Sequence, residues 1–139
     1  MRVLGLGIES ALDKQNKHRL VWVGKLLKPL ARAEFVELLQ SKLGRHAQTV
    51  EGSSGKISTI AWCTGAAQNY IDLAIDAGVD AYLTGEISEQ TFHAAKESGI
   101  HFFSAGHHAT ERYGVQAVGQ YLATTFAIEH EFIDIDNPV

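Results

Sequence analysis

Apolar residues follow two different rhythms along this chain. Residues 20–27 are a run of β-formers around Trp22 and predict a strand. After Pro29, Phe35, Leu38, Leu39 and Leu43 recur at helical spacing, and Gly44 supplies the stop. Residues 47–50 suit a short strand, and Gly52-Ser53-Ser54-Gly55 a turn. From Ile57 the pattern becomes regular. Strands are expected over 57–63, 80–84 and 100–105, and helices over 68–77, 88–98 and about 108–125; Gly78 and Gly99 close the first two helices. A last strand is expected over 130–135.

Strands alternating with helices of this length predict a layered α/β sheet of βαβ units, largely parallel, with an antiparallel edge from the hairpin-like start. No long linker interrupts the chain, so residues 1–139 are read as one α/β unit. In such sheets ligands sit beyond the carboxyl ends of strands, where loops enter helices. Three loops qualify: 64–67, 85–87 and 106–108.

Composition narrows the function classes. With 12 Lys and Arg against 16 Asp and Glu, the net charge is -4. That balance argues against a nucleic-acid partner, which needs a dense basic surface. Apolar stretches break well before the roughly 20 residues a membrane helix requires, and the start has no apolar signal segment with a cleavage site. One cysteine, Cys63, excludes an internal disulfide and fits a reducing compartment, with the cytoplasm as the default.

The third loop is the richest in chemistry. His107 and Glu111 stand four residues apart, so on a helix their side chains lie about 40° apart, one above the other. Val118 and Leu122 fall on the same arc, which is therefore read as the face turned toward the protein. An imidazole and a carboxylate converging at a strand end suit zinc, manganese or iron. Two donors fall short of a site, and the same spacing also suits a pair that caps the helix and bonds locally. His108, about 100° round, is read as a supporting or surface group.

In the second loop, Ser88 suits an N-cap and Glu89 the positive end of the helix dipole. Glu89 and His93 repeat the four-residue spacing but belong on that helix's outer face. Glu86 is the better candidate, either to orient a metal ligand or to handle a proton as a catalytic group; a solvated loop carboxylate is the plain alternative. In the first loop small residues could let backbone N–H groups approach an anion, although no nucleotide-binding pattern is matched. Cys63 and both tryptophans are read as packing residues. His18, His46 and His130 carry no hypothesis.

The runs Ile60-Ala61-Trp62-Cys63-Thr64-Gly65, Asp80 to Gln90 and Ala105 to Arg112, with the ending Phe132 to Pro138, together resemble the Nif-three-like family. This family includes YbgI-type proteins labelled GTP cyclohydrolase 1 type 2 homologues. The resemblance is specific from about Lys56 onward and looser back to Leu4. It implies a dinuclear divalent-metal centre, a homo-oligomer in the form of a hexameric ring, and a metal-dependent hydrolase, cyclohydrolase-like or phosphoesterase-like, acting on a small molecule not yet defined. Carried over, the family's C-terminal metal ligands fall on His107 and Glu111. The remaining ligands, a His-His pair and an Asp, belong to an N-terminal half with no counterpart before Leu20. The chain thus resembles the C-terminal half of such a protein. Little catalysis and weak metal binding are expected from this half alone, and a non-catalytic assembly module is the alternative.

Overall fold

The computed structural model describes residues 2–15, 17–53 and 55–138. Its centre is one six-stranded sheet. In chain order the elements are β1 (Gly7–Ala11), β2 (Trp22–Leu30), α1 (Arg32–Leu43), β3 (Gln48–Val50), β4 (Ile57–Trp62), α2 (Ile71–Asp76), β5 (Ala81–Thr84), α3 (Glu89–Ser98), β6 (His101–Ser104) and α4 (His107–Phe126). Single 3-10 turns at Arg2–Leu4 and Gln68–Tyr70 precede β1 and α2.

Across the sheet the order is β1-β2-β4-β5-β6-β3. β4, β5 and β6 run parallel, joined by crossovers through α2 and α3. The antiparallel part lies on both sides: β1 and β2 form the expected hairpin-like edge, and β3 returns antiparallel along β6. The expectation of a layered α/β sheet is met.

The parallel strands are buried on both faces, and successive side chains sort to opposite sides. Ile60, Trp62, Leu83 and Phe103 meet Phe35, Leu39 and Leu43 of α1 in one core layer. Ala61, Cys63, Tyr82 and Phe102 join Ile71 and Ala74 of α2 and Ala95 of α3 in the other. Helix ends follow local chemistry. Glu34 accepts the Ala31 N–H at the start of α1, Ser88 accepts the Thr91 N–H at the start of α3, and Gly44 and Gly99 end α1 and α3 in the left-handed conformation.

Four expectations change. β1 was absent from the pattern because only Ala11 in it is buried, so no alternation marks it. β2 continues through Pro29, with its register against β4 shifting between Lys25 and Leu30. Residues 130–135 form no strand. The segment runs back along α4 instead of joining the sheet. His130 sits against Gly119, where an alanine Cβ would overlap its ring, and Asp134 bonds His108 and Arg112. Finally, Val118 and Leu122 do not face the protein; they are 58% and 38% exposed. In the 52–55 turn, Ser54 lies outside the described residues.

Asp80 ties β4 to β5. Its Oδ2 accepts from Ser58 N at 2.9 Å, Thr59 N at 2.8 Å and Thr59 Oγ1 at 2.9 Å. Burial alone would raise its pKa, but the hydrogen bonds from Thr59 and Ser58, with the nearby His101, outweigh it and lower the pKa. A depressed folded-state pKa contributes stability that is present above the unfolded value of about 4 and lost as pH falls through the folded one. Asp80→Asn is therefore expected to cost about 1.5 kcal/mol at neutral pH. It is also expected to flatten the pH dependence of urea unfolding below about pH 4. Parallel pH profiles for parent and variant would refute this role.

Candidate metal centre

The carboxyl ends of β4, β5 and β6 deliver three loops to one point, and backbone contacts bind those loops together. Gly85 N donates to Gly65 O, Gly106 N to Gly85 O, and Ala105 N to Thr84 O. The buried hydroxyls of Thr84 and Ser104 donate to Gly65 O and Gly85 O. Thr110, in the first turn of α4, accepts the Gly65 N–H. The loops are thus held as one rigid platform, with α4 rising from it.

That helix start is also bolted to the end of α1. Arg112 Nη2 donates to Leu43 O at 2.8 Å and Tyr113 OH to Lys42 O at 2.7 Å, satisfying carbonyls that a helix C-terminus leaves unpaired. Asp134 then bridges His108 Nε2 at 3.0 Å and Arg112 Nη1 at 2.9 Å. Sequence reasoning passed over Arg112 and Asp134. The four-residue spacing of His108 and Arg112 was a visible signal, but nothing local tied Asp134 to it.

His107 lies between two carboxylates. Nδ1 is 2.6 Å from Glu86 Oε1, and Nε2 is 3.1 Å from Glu111 Oε2. An ionised carboxylate only accepts, so Nδ1–H donates to Glu86 and holds the ring in place. The hydrogen bond to Glu86 is the chief cause raising the His107 pKa; partial burial opposes it, and the charges of Glu111 and Glu86 add to it. His107 and Glu86 are each about one-third exposed and Glu111 is half exposed, so the site opens to solvent. Gly65 makes room for it: a Cβ there would overlap Glu111 Oε1, and its φ of +70° suits glycine. A groove of about 570 Å³ adjoins the pair, lined by His108, Arg112, Val115, Phe132 and Asn137 as well.

The structure brings together all three residues singled out from sequence. Glu86 sits behind His107 and sets its orientation. Glu111 and His107 Nε2 converge in front. The donor set fits a divalent cation in kind: one imidazole and one carboxylate, with a second carboxylate on the far ring nitrogen, the arrangement that orients metal-ligating histidines. In number it falls short, because no group of three or more His, Cys, Asp or Glu that could hold a metal occurs among the described residues. The first loop is not an anion cradle. Gly65 N–H is spent on Thr110 and Ala67 N–H on Gly65 O, and a 3-10 turn follows instead of a long helix. Cys63 is buried, and burial raises its pKa, so it is a packing residue. Glu89 and His93 lie on the exposed face of α3, as expected. No helix among the described residues is long and apolar enough to cross a membrane.

The model of the Duf34/NIF3 family (NGG1p interacting factor 3) matches residues 1–138. The chain is 56% identical over 137 residues to a GTP cyclohydrolase 1 type 2 homolog of Pseudomonas aeruginosa, covering 99% of this chain and 54% of that protein. It is 42% identical over 138 residues to the protein so named in Vibrio cholerae, covering 98% and 54%. Among solved structures it is similar to protein ybgI, described as of unknown function, with a TM-score of 0.93 and 39% identity over 99% of this chain and 54% of that one. TTHA1606 of Thermus thermophilus shares the fold at a TM-score of 0.81 and 22% identity, over 99% and 53%. The chain spans about half the length of the curated relatives it matches.

Proposed function

For a chain that belongs to the Duf34/NIF3 family, we propose that His107 and Glu111 are donors to a divalent metal ion in a hydrolytic centre, with Glu86 as the residue that positions His107. The observation that carries this reading is the Glu86–His107–Glu111 array. A carboxylate 2.6 Å from Nδ1 fixes the ring so that Nε2 faces the same opening as Glu111. A zinc, manganese or iron ion held there would supply Lewis-acid activation of a water or of a substrate oxygen. The relatives' name, GTP cyclohydrolase 1 type 2 homolog, makes hydrolytic ring opening of a nucleotide one candidate reaction and phosphoester hydrolysis another. Glu86 keeps the ring's second nitrogen facing the opening, and Arg112 lends positive charge to the adjoining groove.

A second reading, a non-catalytic module for assembly, is favoured by the uncovered apolar side chains of α4, where Val115, Val118, Tyr121 and Phe126 are each more than half exposed. Titration calorimetry with zinc and with manganese separates the two. Binding is expected for the parent chain, loss of binding for Glu111→Gln, and about 10- to 100-fold weaker binding for Glu86→Gln, the usual cost of removing a residue that orients a metal-ligating histidine. Equal uptake by all three proteins would leave the assembly reading in its place.

A further inference from the structure

Beside the Glu86–His107–Glu111 array lies a second set of donors that takes no part in it. Gly44 ends α1 in the left-handed conformation, and the turn it makes lays Arg45 against the start of α4. A Cβ built on Gly106 would stand 2.8 Å from Arg45 Cδ and 3.0 Å from its Nε and Nη1. The guanidinium therefore rests on the backbone of the residue before His107, an approach that glycine permits. Arg45 is partly buried, and it spends none of its N–H donors on a hydrogen bond or ion pair with another described residue. Arg112 stands next to it on the same helix end. Its Nη2 donates to Leu43 O at 2.8 Å and lies 3.7 Å from a Cβ built on Gly44, the residue before Arg45. Its Nη1 and His108 Nε2 hold the two oxygens of Asp134 at 2.9 Å and 3.0 Å. The carboxylate shows what these groups accept, an oxyanion gripped from two sides. Arg45, His108 and Arg112 line a cavity of about 440 Å³. Its walls at His108, Arg112 and Asn137 are shared with the groove onto which His107 and Glu111 open.

Resting on the metal reading above, we infer that this cavity is an anion subsite, in which Arg45 and Arg112 bind the phosphate of a phosphorylated small-molecule substrate whose reacting part lies at His107 and Glu111. The choice of phosphate follows from the donors. A guanidinium presents paired N–H groups in one plane that match two phosphate oxygens at once, and it stays charged at every working pH. A phosphate monoester offers enough terminal oxygens to engage both guanidinium groups, whereas a carboxylate is filled by one. Asp134 neutralises Arg112 and steadies His108, so Arg45 carries the charge left for the ligand. Asp136 also borders the cavity, but it is exposed, and its charge is screened by solvent. Held here, the phosphate is a handle. Its binding orients the reacting part of the molecule in the adjoining groove, as contacts remote from the reacting atoms do in enzymes generally.

Inorganic phosphate titrated into the metal-free chain tests this, read from backbone amide shifts by NMR. Saturable shifts are expected at residues 44–45 and 106–112, with acetate binding more weakly. Arg45→Gln should weaken phosphate binding about tenfold or more, the usual cost of losing a charge-assisted contact. Arg45→Lys keeps the charge but loses the planar fork, and should fall between the two. Lys28→Gln, the same loss of charge at an exposed position on β2, should bind phosphate as the parent does. Zinc uptake, measured separately by calorimetry, should be unchanged in Arg45→Gln, while Glu111→Gln should lose zinc and keep phosphate. Shifts that never saturate, equal phosphate binding by the parent and Arg45→Gln, or phosphate and acetate bound alike would each overturn the inference. Phosphate binding that depends on Arg45 in a chain that takes up no zinc supports the anion subsite and overturns the metal reading alone.

Discussion

Gly85→Ala is expected to destabilise the protein by about 3 kcal/mol, the upper range for overpacking a close-packed position. The added Cβ would stand 2.7 Å from Gly65 O, 2.8 Å from His107 Cα and 3.0 Å from Gly106 O. All three neighbours are backbone, so no side chain can swing aside to relieve the contact. Relief requires the three loops to separate, and the hydrogen bonds from Gly85 N to Gly65 O and from Gly106 N to Gly85 O would stretch with them. The same movement shifts His107 relative to Glu86 and Glu111, so metal uptake should fall together with stability. Chemical denaturation and zinc titration of one preparation check both. A variant within about 0.5 kcal/mol of the parent, the range of an ordinary surface change, would show that the loops are not packed as described.

Phe35→Ala should cost more, about 3–5 kcal/mol, as expected for truncating a fully buried aromatic ring. Phe35 is completely buried, and its ring meets Phe103 edge to face at 4.8 Å between centroids. It joins α1 to the middle of the sheet in the layer that also holds Leu39, Leu83 and Ala109. Loss of the ring leaves a cavity beneath β6 and removes an aromatic contact worth about 1 kcal/mol in its own right. The exposed Glu37→Ala on the same helix serves as the control and should stay within about 0.5 kcal/mol of the parent. Similar losses for the two variants would mean that α1 is not seated through Phe35. Because α1 ends at the carbonyls that receive Arg112 and Tyr113, the Phe35 variant should also loosen the start of α4.

Much of the architecture was legible without coordinates, wherever a pattern has a local cause. The period of apolar residues marked α1, α3 and the three parallel strands, because burial on one helix face or on both sheet faces leaves its own rhythm. Gly44 and Gly99 marked helix ends because the left-handed cap strongly favours glycine. His107 and Glu111 were paired by helix geometry, and resemblance to the family weighed toward ligation. Glu86 was placed near them because it follows a parallel strand whose loop opens on the same side.

What failed was whatever depends on partners distant in sequence. β1 exists because β2 offers it an edge, and its own residues carry no alternation. Residues 130–135 are rich in β-formers, yet they pair with no strand, and side-chain bonds to α4 decide their path. Val118 and Leu122 were assigned to the interior because apolar residues on a helix usually face the core they belong to; among the described residues nothing buries them. By itself the sequence determined α1, α3, the three parallel strands, their α/β order and the His107–Glu111 pair, all set by spacings of a few residues. Only the tertiary structure decided that Glu86 stands 2.6 Å behind His107, that Gly65 clears space for Glu111, and that the pair opens onto a bare helix face. Each of these follows from three loops being drawn to one point by the parallel strands, a convergence that no local spacing encodes.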